Sequence, residues 1–276
     1  MEVIYLNLIH KLYKKEINKF PAPFFVKKGF FIIELTTSSG LKGYGEISSY
    51  VYNHKKFLKY IKNYFTQNLK KIFIFDYFKK KNNLIYKIED DLFYSIRAAI
   101  EQALIDIIGK SKKKKSFELF SKKKFINVYS SGGVLYENQE YESLIDELLI
   151  AKKKKFFGWK FRPAIPIKLS NHKMRLRQKP PIDIDKLSKF CLTARKIAGN
   201  NFRLMIDIGC RMKVERKSVK FLQLLNELNF YFIEEPFERN FNAYEKIKNI
   251  KDIKNIALGE NFINEKMLIK YNSLKQ

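Results

Sequence analysis

Cysteine is nearly absent. Cys191 and Cys210 are the only two, too far apart in sequence for a paired metal knuckle and too few for a disulfide framework. Histidine is almost as scarce, at His10, His54 and His172. No uninterrupted apolar stretch approaches the ~18 residues needed to span a membrane. The N-terminus, "MEVIYLNLIHKLYKK", lacks a basic segment ahead of an apolar block and so does not read as a secretory signal. These absences exclude a disulfide-stapled secreted module and a helical membrane protein, and they lead to the expectation of a soluble, cytoplasmic chain with no membrane partner. What the chain has is apolar content. At 46% hydrophobic and 15% aromatic, 276 residues can bury one large α/β core or two smaller ones.

Acidic charge is also short, at 28 residues against 55 basic ones, which leaves a net charge of +27. Such an excess attracts phosphates. Yet only nine of the basic residues are arginine, the side chain that reads phosphate and guanine through two parallel hydrogen bonds. Lysine, isoleucine, phenylalanine, tyrosine and asparagine are abundant together, as an A+T-biased coding sequence would produce. The lysine runs at 112–115, 122–124 and 152–155 fall between periodic segments, where solvated loops and helix faces belong. Compositional drift explains the charge better than a dedicated polyanion site, and no specific nucleic-acid partner is expected.

The first third reads as α+β. "GFFIIELTTSSGLKGYGEIS" gives a strand, a turn at 38–40 and a second strand reaching Tyr44 and Glu46, the pattern of a hairpin. In "FYSIRAAIEQALIDIIGK", Ile96, Ala99, Ile100, Ala103, Leu104, Ile107 and Ile108 share one helical face, and Gly109 is placed to stop the helix. From about residue 125 short apolar strands alternate with amphipathic stretches. The expected strands are "FINVYSS", "GWKFR", "FRLMIDIG", "FYFIEEP" and "NIALGEN", with helices at "SVKFLQLLNEL" and "AYEKIKNI". This alternation implies βαβ units and a parallel sheet. The aperiodic stretch at 162–185, rich in proline and base, is expected to be a long loop acting as lid or insertion.

Each of the last three strands ends in an acid: Asp207 in "MIDIG", Glu234 in "FIEEP" and Glu260 in "ALGEN". Their separations are one βα unit each, so parallel strands would carry all three to the same rim of a barrel, the rim where active sites sit. Any one of them alone is as readily a helix cap or a solvated loop residue. Three in step are harder to explain that way, because carboxylates converging within ~4 Å repel by about 4 kcal/mol per pair at an effective dielectric near 20. A hard divalent cation such as Mg²⁺ would offset that repulsion. Side chains alternate along a strand, so only one of Glu234 and Glu235 can face the centre. The other becomes a partner of the ligands or of the substrate. On "GWKFR", Lys160 and Arg162 share a side at i and i+2. They could pair with the acids across the barrel, or Lys160, its ammonium disfavoured beside other cations, could serve as a general base.

The ordered set "GLKGYGE", "SIRAAIEQALIDIIGK", "INVYSSGG", "KFR", "MIDIG", "IEEP" and "GEN" resembles the enolase superfamily, and within it the mandelate racemase-like acid-sugar dehydratases. The resemblance covers essentially the whole chain. It implies an α/β fold with an N-terminal α+β capping domain, here 1–120, and a modified (β/α)8 TIM barrel, here 121–276. It also implies Mg²⁺ held by Asp207, Glu234 and Glu260, and removal of the proton next to a carboxylate; the handling of such sites by a lysine base with Mg²⁺ is a general pattern of this superfamily. The implied partner is a small-molecule carboxylate, a hydroxy or sugar acid, and family members are commonly homo-oligomers. Dehydratases then expel water, whereas racemases, epimerases and cycloisomerases do not; both outcomes stay open, as does a non-catalytic basic binding protein on a decayed barrel.

The sequence departs from the family pattern in places. Where the family's strand-two signature has a lysine base, this chain has Arg162, which is never deprotonated. Either Lys160 has taken the role of catalytic base, with Arg162 holding a substrate carboxylate, or this face is inactive. Gly209 stands two after Asp207, where the family often has asparagine. Five of eight barrel strands are countable before Gln276, so the chain reads as a C-terminally truncated member without the family's second acid/base. Two loops of the cap, around 21–25 and 50–54, would choose the substrate in the family, which makes His54 a candidate substrate contact together with Glu235 and Arg162.

Overall fold

The first element of the chain lies in a segment not expected as a strand: β1 (Val3–Tyr13) pairs antiparallel with β2 (Lys28–Thr37), and β2 pairs with β3 (Lys42–Ile47). The computed structural model describes residues 2–13, 28–47, 59, 61–63, 91–134, 140–164, 182–238, 240–260, 262 and 265–274. They belong to two compact units that divide after Phe125.

In the first unit Gly43, Gly45 and Ile47 are buried while Lys42, Tyr44 and Glu46 are exposed, so β3 shows one face to the core and one to water. The hairpin turns through Gly40, whose φ of 79° suits glycine. Helix α1 (Asp91–Ser111) lays Ile96, Ala99, Ile100, Ala103, Leu104 and Ile107 against Ile33, Leu35 and Ile47, and runs two residues past the expected stop at Gly109. Approach is close. A Cβ on Gly45 would lie 1.8 Å from the Ala99 carbonyl oxygen. That closeness lets Asp106 and Gln102 accept the outward N–H groups of Tyr44 and Glu46 at 3.1 and 3.2 Å, so helix side chains cover the exposed sheet edge.

The second unit holds five parallel strands in chain order: β4 (Ser130–Val134), β5 (Gly158–Ala164), β6 (Arg203–Asp207), β7 (Phe232–Glu234) and β8 (Ile256–Ala257). Helices α2 (Ile145–Lys153), α3 (Ile184–Ala198), α4 (Arg216–Glu227) and α5 (Phe241–Ile247) connect them, and α6 (Glu265–Asn272) follows β8. Trp159, Phe161, Leu204, Ile206 and Ile233 form one core with Leu148, Leu187, Phe190, Phe221, Leu225 and Tyr244 of the helices. Strands in unbroken order with connecting helices packed on one face describe an arc of a barrel rather than a doubly wound sheet, whose order reverses at a switch point. The modified TIM-barrel class with an N-terminal cap is therefore the fold, five of its parallel strands being described.

Two expected bounds move. The strand expected from 125 begins at Ser130, where its ladder with β5 starts at Ser130↔Trp159; ahead of it the Phe157 N–H donates to the Val128 carbonyl at 2.9 Å, while Phe125 and Ile126 are 90% and 87% exposed. The loop expected to run to 185 gives way at Ile184 to α3, whose N-cap Asp183 accepts from the N–H groups of Asp185 and Lys186. Residues 165–181 of that loop, and the cap loops at 21–25 and 50–54 with His54, lie outside the described residues. Among the described residues, no helix is long and apolar enough to cross a membrane.

Candidate active site

Parallel pairing brings the strand-end acids together. Asp207 closes β6 directly beside Glu234, and Glu234 stands beside Ala257, three residues before Glu260. One oxygen from each of Asp207, Glu234 and Glu260 lies within 4.8 Å of the others. Asp207 is buried, Glu234 partly buried and Glu260 exposed. Alternation does the aiming: Leu204, Ile206 and Ile233 go to the helices, so Asp207 and Glu234 go to the opposite face.

The same alternation on β5 sends Trp159 and Phe161 to the helices and Lys160 and Arg162 to the acids. Lys160 Nζ donates to Glu234 Oε2 at 2.6 Å and stands 5.8 Å from the Tyr129 ring centre. Arg162 Nε donates to Asp207 Oδ2 at 2.7 Å, and its Nη2 to Glu260 Oε2 at 3.2 Å. Burial alone would lower the pKa of Lys160, but the hydrogen bond to Glu234 and the surrounding negative charge leave it above the ordinary lysine value. The expected lowering is thus not met in this arrangement, because its nearest partner is an acid rather than a cation.

Two bases satisfy the acids incompletely. Asp207 Oδ1 is buried with no hydrogen-bond donor in reach. An orphaned carboxylate oxygen beside two further carboxylates is a hard, all-oxygen donor set, and it fits Mg²⁺, which takes a few carboxylates and keeps waters.

Glu235 answers differently from its neighbour. Its φ of 44° is a left-handed conformation that glutamate seldom adopts, and its carboxylate is buried rather than presented to the acids. Oε1 accepts from the N–H groups of Gly259 and Glu260 at 2.9 and 3.1 Å, and Cys210 Sγ lies 3.5 Å from Oε2. Of the two roles expected for it, partner of the ligands or of the substrate, the geometry shows Glu235 holding the backbone that carries Glu260. Burial, with the Glu235 charge beside it, pushes the Tyr244 phenol well above the ordinary tyrosine range.

One rim residue had no place among the sequence candidates. Gly209 and Cys210, at φ 64° and 61°, turn the chain sharply after Asp207 and deliver Arg211 to the end of β5, where its Nη1 lies 3.5 Å from the Pro163 carbonyl. Its Nε is buried without a partner. Burial and the charge of Arg162 lower its pKa, against the raising effect of Asp207. The only signal in the sequence is a basic residue four positions after a strand-end acid.

The comparisons with known proteins agree with this architecture. Residues 24–120 match the N-terminal domain of mandelate racemase / muconate lactonizing enzyme, and residues 155–272 match the enolase C-terminal domain-like family. Among solved structures, a member of the enolase superfamily from Polaromonas sp. JS666 is 20% identical with a TM-score of 0.74, covering 98% of this chain and 69% of its own. An enolase from environmental sequencing of the Sargasso Sea is 23% identical with a TM-score of 0.72, covering 99% of this chain and 68% of its own. A mandelate racemase/muconate lactonizing enzyme from Sulfitobacter sp. is 17% identical with a TM-score of 0.72, over 98% and 68%. No curated protein matches the chain by sequence. Carrying both domain types in their usual order, the chain belongs to the enolase superfamily, among the mandelate racemase-like proteins.

Proposed function

We propose that this chain carries the site of a Mg²⁺-dependent carbon–oxygen lyase. It would remove the proton next to the carboxylate of a hydroxy or sugar acid and eliminate water, with 1–120 as cap, 121–276 as barrel domain, and the cytoplasm as its compartment. The supporting observation is the convergence of Asp207, Glu234 and Glu260 within 4.8 Å around an orphaned buried oxygen. These three residues would hold the cation. When bound, it supplies a fixed positive charge opposite the negative charge that develops as the α-proton leaves.

The protein's own residues divide the remaining work. Arg162, permanently charged, orients the substrate carboxylate. Lys160 takes the α-proton at Nζ, for which it must first lose its own. Its bond to Glu234 opposes that loss, while its burial favours it, so engagement of Glu234 elsewhere tips the amine towards the neutral form. The β-hydroxyl departs with the proton that Lys160 took from the α-carbon, passed on directly or by exchange with solvent, so the sum lost is one water and the amine returns to its neutral form. Glu235 fixes Glu260 through the backbone at 259 and 260.

Calorimetric titration with Mg²⁺ tests the reading. Wild type should take up one equivalent, and Glu234→Gln should lose most of the affinity. Equal uptake by both would remove the metal assignment. Solvent deuterium entering the α-carbon without loss of water would replace dehydration by racemisation on the same site.

A further inference from the structure

The charge balance at the rim sharpens the substrate class. Three acids, Asp207, Glu234 and Glu260, meet two bases, Lys160 and Arg162, which are already bonded to them. Arg211 is a third base on the same rim. Among the described residues it forms no ion pair, its Nε is buried with nothing to donate to, and its one recorded hydrogen bond is the long contact of Nη1 to Pro163. The acid nearest to it in the field, Asp207, is taken by Arg162. A guanidinium stripped of water on one side and left without an anion has lost hydration that only an incoming acceptor restores.

We infer that Arg211 binds a second anionic group of the substrate, apart from the carboxylate whose α-proton is removed, so that the natural substrate is a diacid rather than a monoacid. The inference rests on the lyase reading above. Arginine suits the task because its planar fork grips a carboxylate through two parallel bonds. The sharp turn at Gly209 and Cys210 places that fork at the end of β5, next to the strand that presents Lys160 and Arg162.

The test uses the full chain with saturating Mg²⁺ and pairs of sugar acids that differ only at the far end: tartrate against threonate, and galactarate against galactonate, with carboxylate replaced by hydroxymethyl. Binding is read by calorimetry, independently of turnover. Wild type should favour the diacid of at least one pair by roughly tenfold to a hundredfold, the range of a charge-assisted hydrogen bond. Arg211→Met should erase that preference and Arg211→Lys should retain part of it. Equal affinity of wild type for both members of each pair overturns the inference while leaving Mg²⁺ uptake, and hence the lyase reading, intact. A preference that survives in Arg211→Met overturns the assignment to Arg211. Failure of wild type to take up Mg²⁺ overturns both readings.

Discussion

The two ends of the five-stranded sheet treat a guanidinium in opposite ways. At the N-terminal end, Arg195 of α3 is buried without any carboxylate, and it donates to the carbonyls of Leu228 and Gly199 at 2.7 Å, Phe202 at 2.8 Å and Asn229 at 2.9 Å. It thereby ties the end of α3 to the turns that feed β6 and β7. At the C-terminal end, Arg211 keeps a buried donor with no acceptor. Backbone strain follows the same division. Ahead of β6, β7 and β8 the left-handed positions are Gly199, Asn229, Asp252 and Asn255, residue types that tolerate them, with Lys155 ahead of β5 less suited; on the rim they include Gly209, Gly259, Cys210 and Glu235, the last two less suited. One end meets its buried guanidinium with backbone carbonyls and stabilises. The other leaves an acid oxygen and an arginine nitrogen unsatisfied, which is the condition in which a site can take up a cation and an anion.

The largest break in this comparison should come from the satisfied end. Arg195→Met leaves four carbonyls without their donor in part-buried bonds at once, so unfolding by denaturant should show a loss of about 3–5 kcal/mol. Whatever folded protein remains should bind Mg²⁺ as wild type does. A loss below about 1 kcal/mol would mean that water replaces the guanidinium and that this end is not the stabilising one.

At the rim the expected effect is smaller and depends on the metal. With Mg²⁺ at a hundredfold its dissociation constant, wild type should gain about 2.7 kcal/mol in unfolding free energy. Asp207→Asn should lose that gain. Its metal-free stability should stay within about 1 kcal/mol of wild type, because the substitution relieves a crowded set of carboxylates and leaves Arg162 its bond to Glu260. Undiminished stabilisation of Asp207→Asn by Mg²⁺ would count against the site.

Glu235 lies between these cases. Replacement by glutamine keeps an acceptor for the N–H groups of Gly259 and Glu260 and should cost under about 1 kcal/mol; replacement by alanine strands both and should cost roughly 1–3 kcal/mol. Mg²⁺ affinity should fall in the alanine variant as Glu260 loses its backbone support. Were the glutamine and alanine variants to weaken Mg²⁺ equally, Glu235 would act through its charge and not as a brace.

Which of these features the sequence disclosed follows from how local they are. Asp207, Glu234 and Glu260 could be lined up from strand ends alone, since parallel pairing turns equal spacing along the chain into adjacency in space. The hairpin and α1 were equally legible, being set by a turn and by one helical face. That only one of Glu234 and Glu235 faces the centre followed from alternation, but the destination of the other did not: it depends on a left-handed φ and on the backbone just after β8, 24 residues later. Arg195 and Arg211 read alike as isolated arginines. Their opposite roles come from non-local surroundings, four carbonyls in one case and none but Pro163 in the other. The strand β4 was placed too early because three apolar residues, Phe125, Ile126 and Val128, suggested a strand from 125, whereas the ladder with β5 starts at Ser130.

The smallest expected effect separates the packed interior from the rim through the two thiols. Cys191 is fully enclosed between α3 and its neighbours, and burial pushes its thiol pKa up, so the reactive thiolate is suppressed. Cys210 lies partly exposed on the strained turn beside Glu235. Iodoacetamide at pH 8 should therefore modify Cys210 alone in the folded protein, and both residues only after unfolding, as mass spectrometry would show. Alkaline titration gives the matching sign in stability. Tyr141, packed against Phe190 of α3, has its phenol pushed up to about 12 from 10.0, first by burial and then by Asp183 and other negative charge nearby. The folded state holds that proton, and the Cys191 proton, more tightly than the unfolded chain does. Their contribution is complete below the unfolded values and is lost as pH climbs towards the folded ones, so stability should begin to decline near pH 9.0, where the unfolded thiol ionises, and continue to about pH 12. Labelling of Cys191 in the native state at pH 8, ahead of Cys210, would show that the interior around α3 opens more readily than the rim and would reverse the contrast between the two ends.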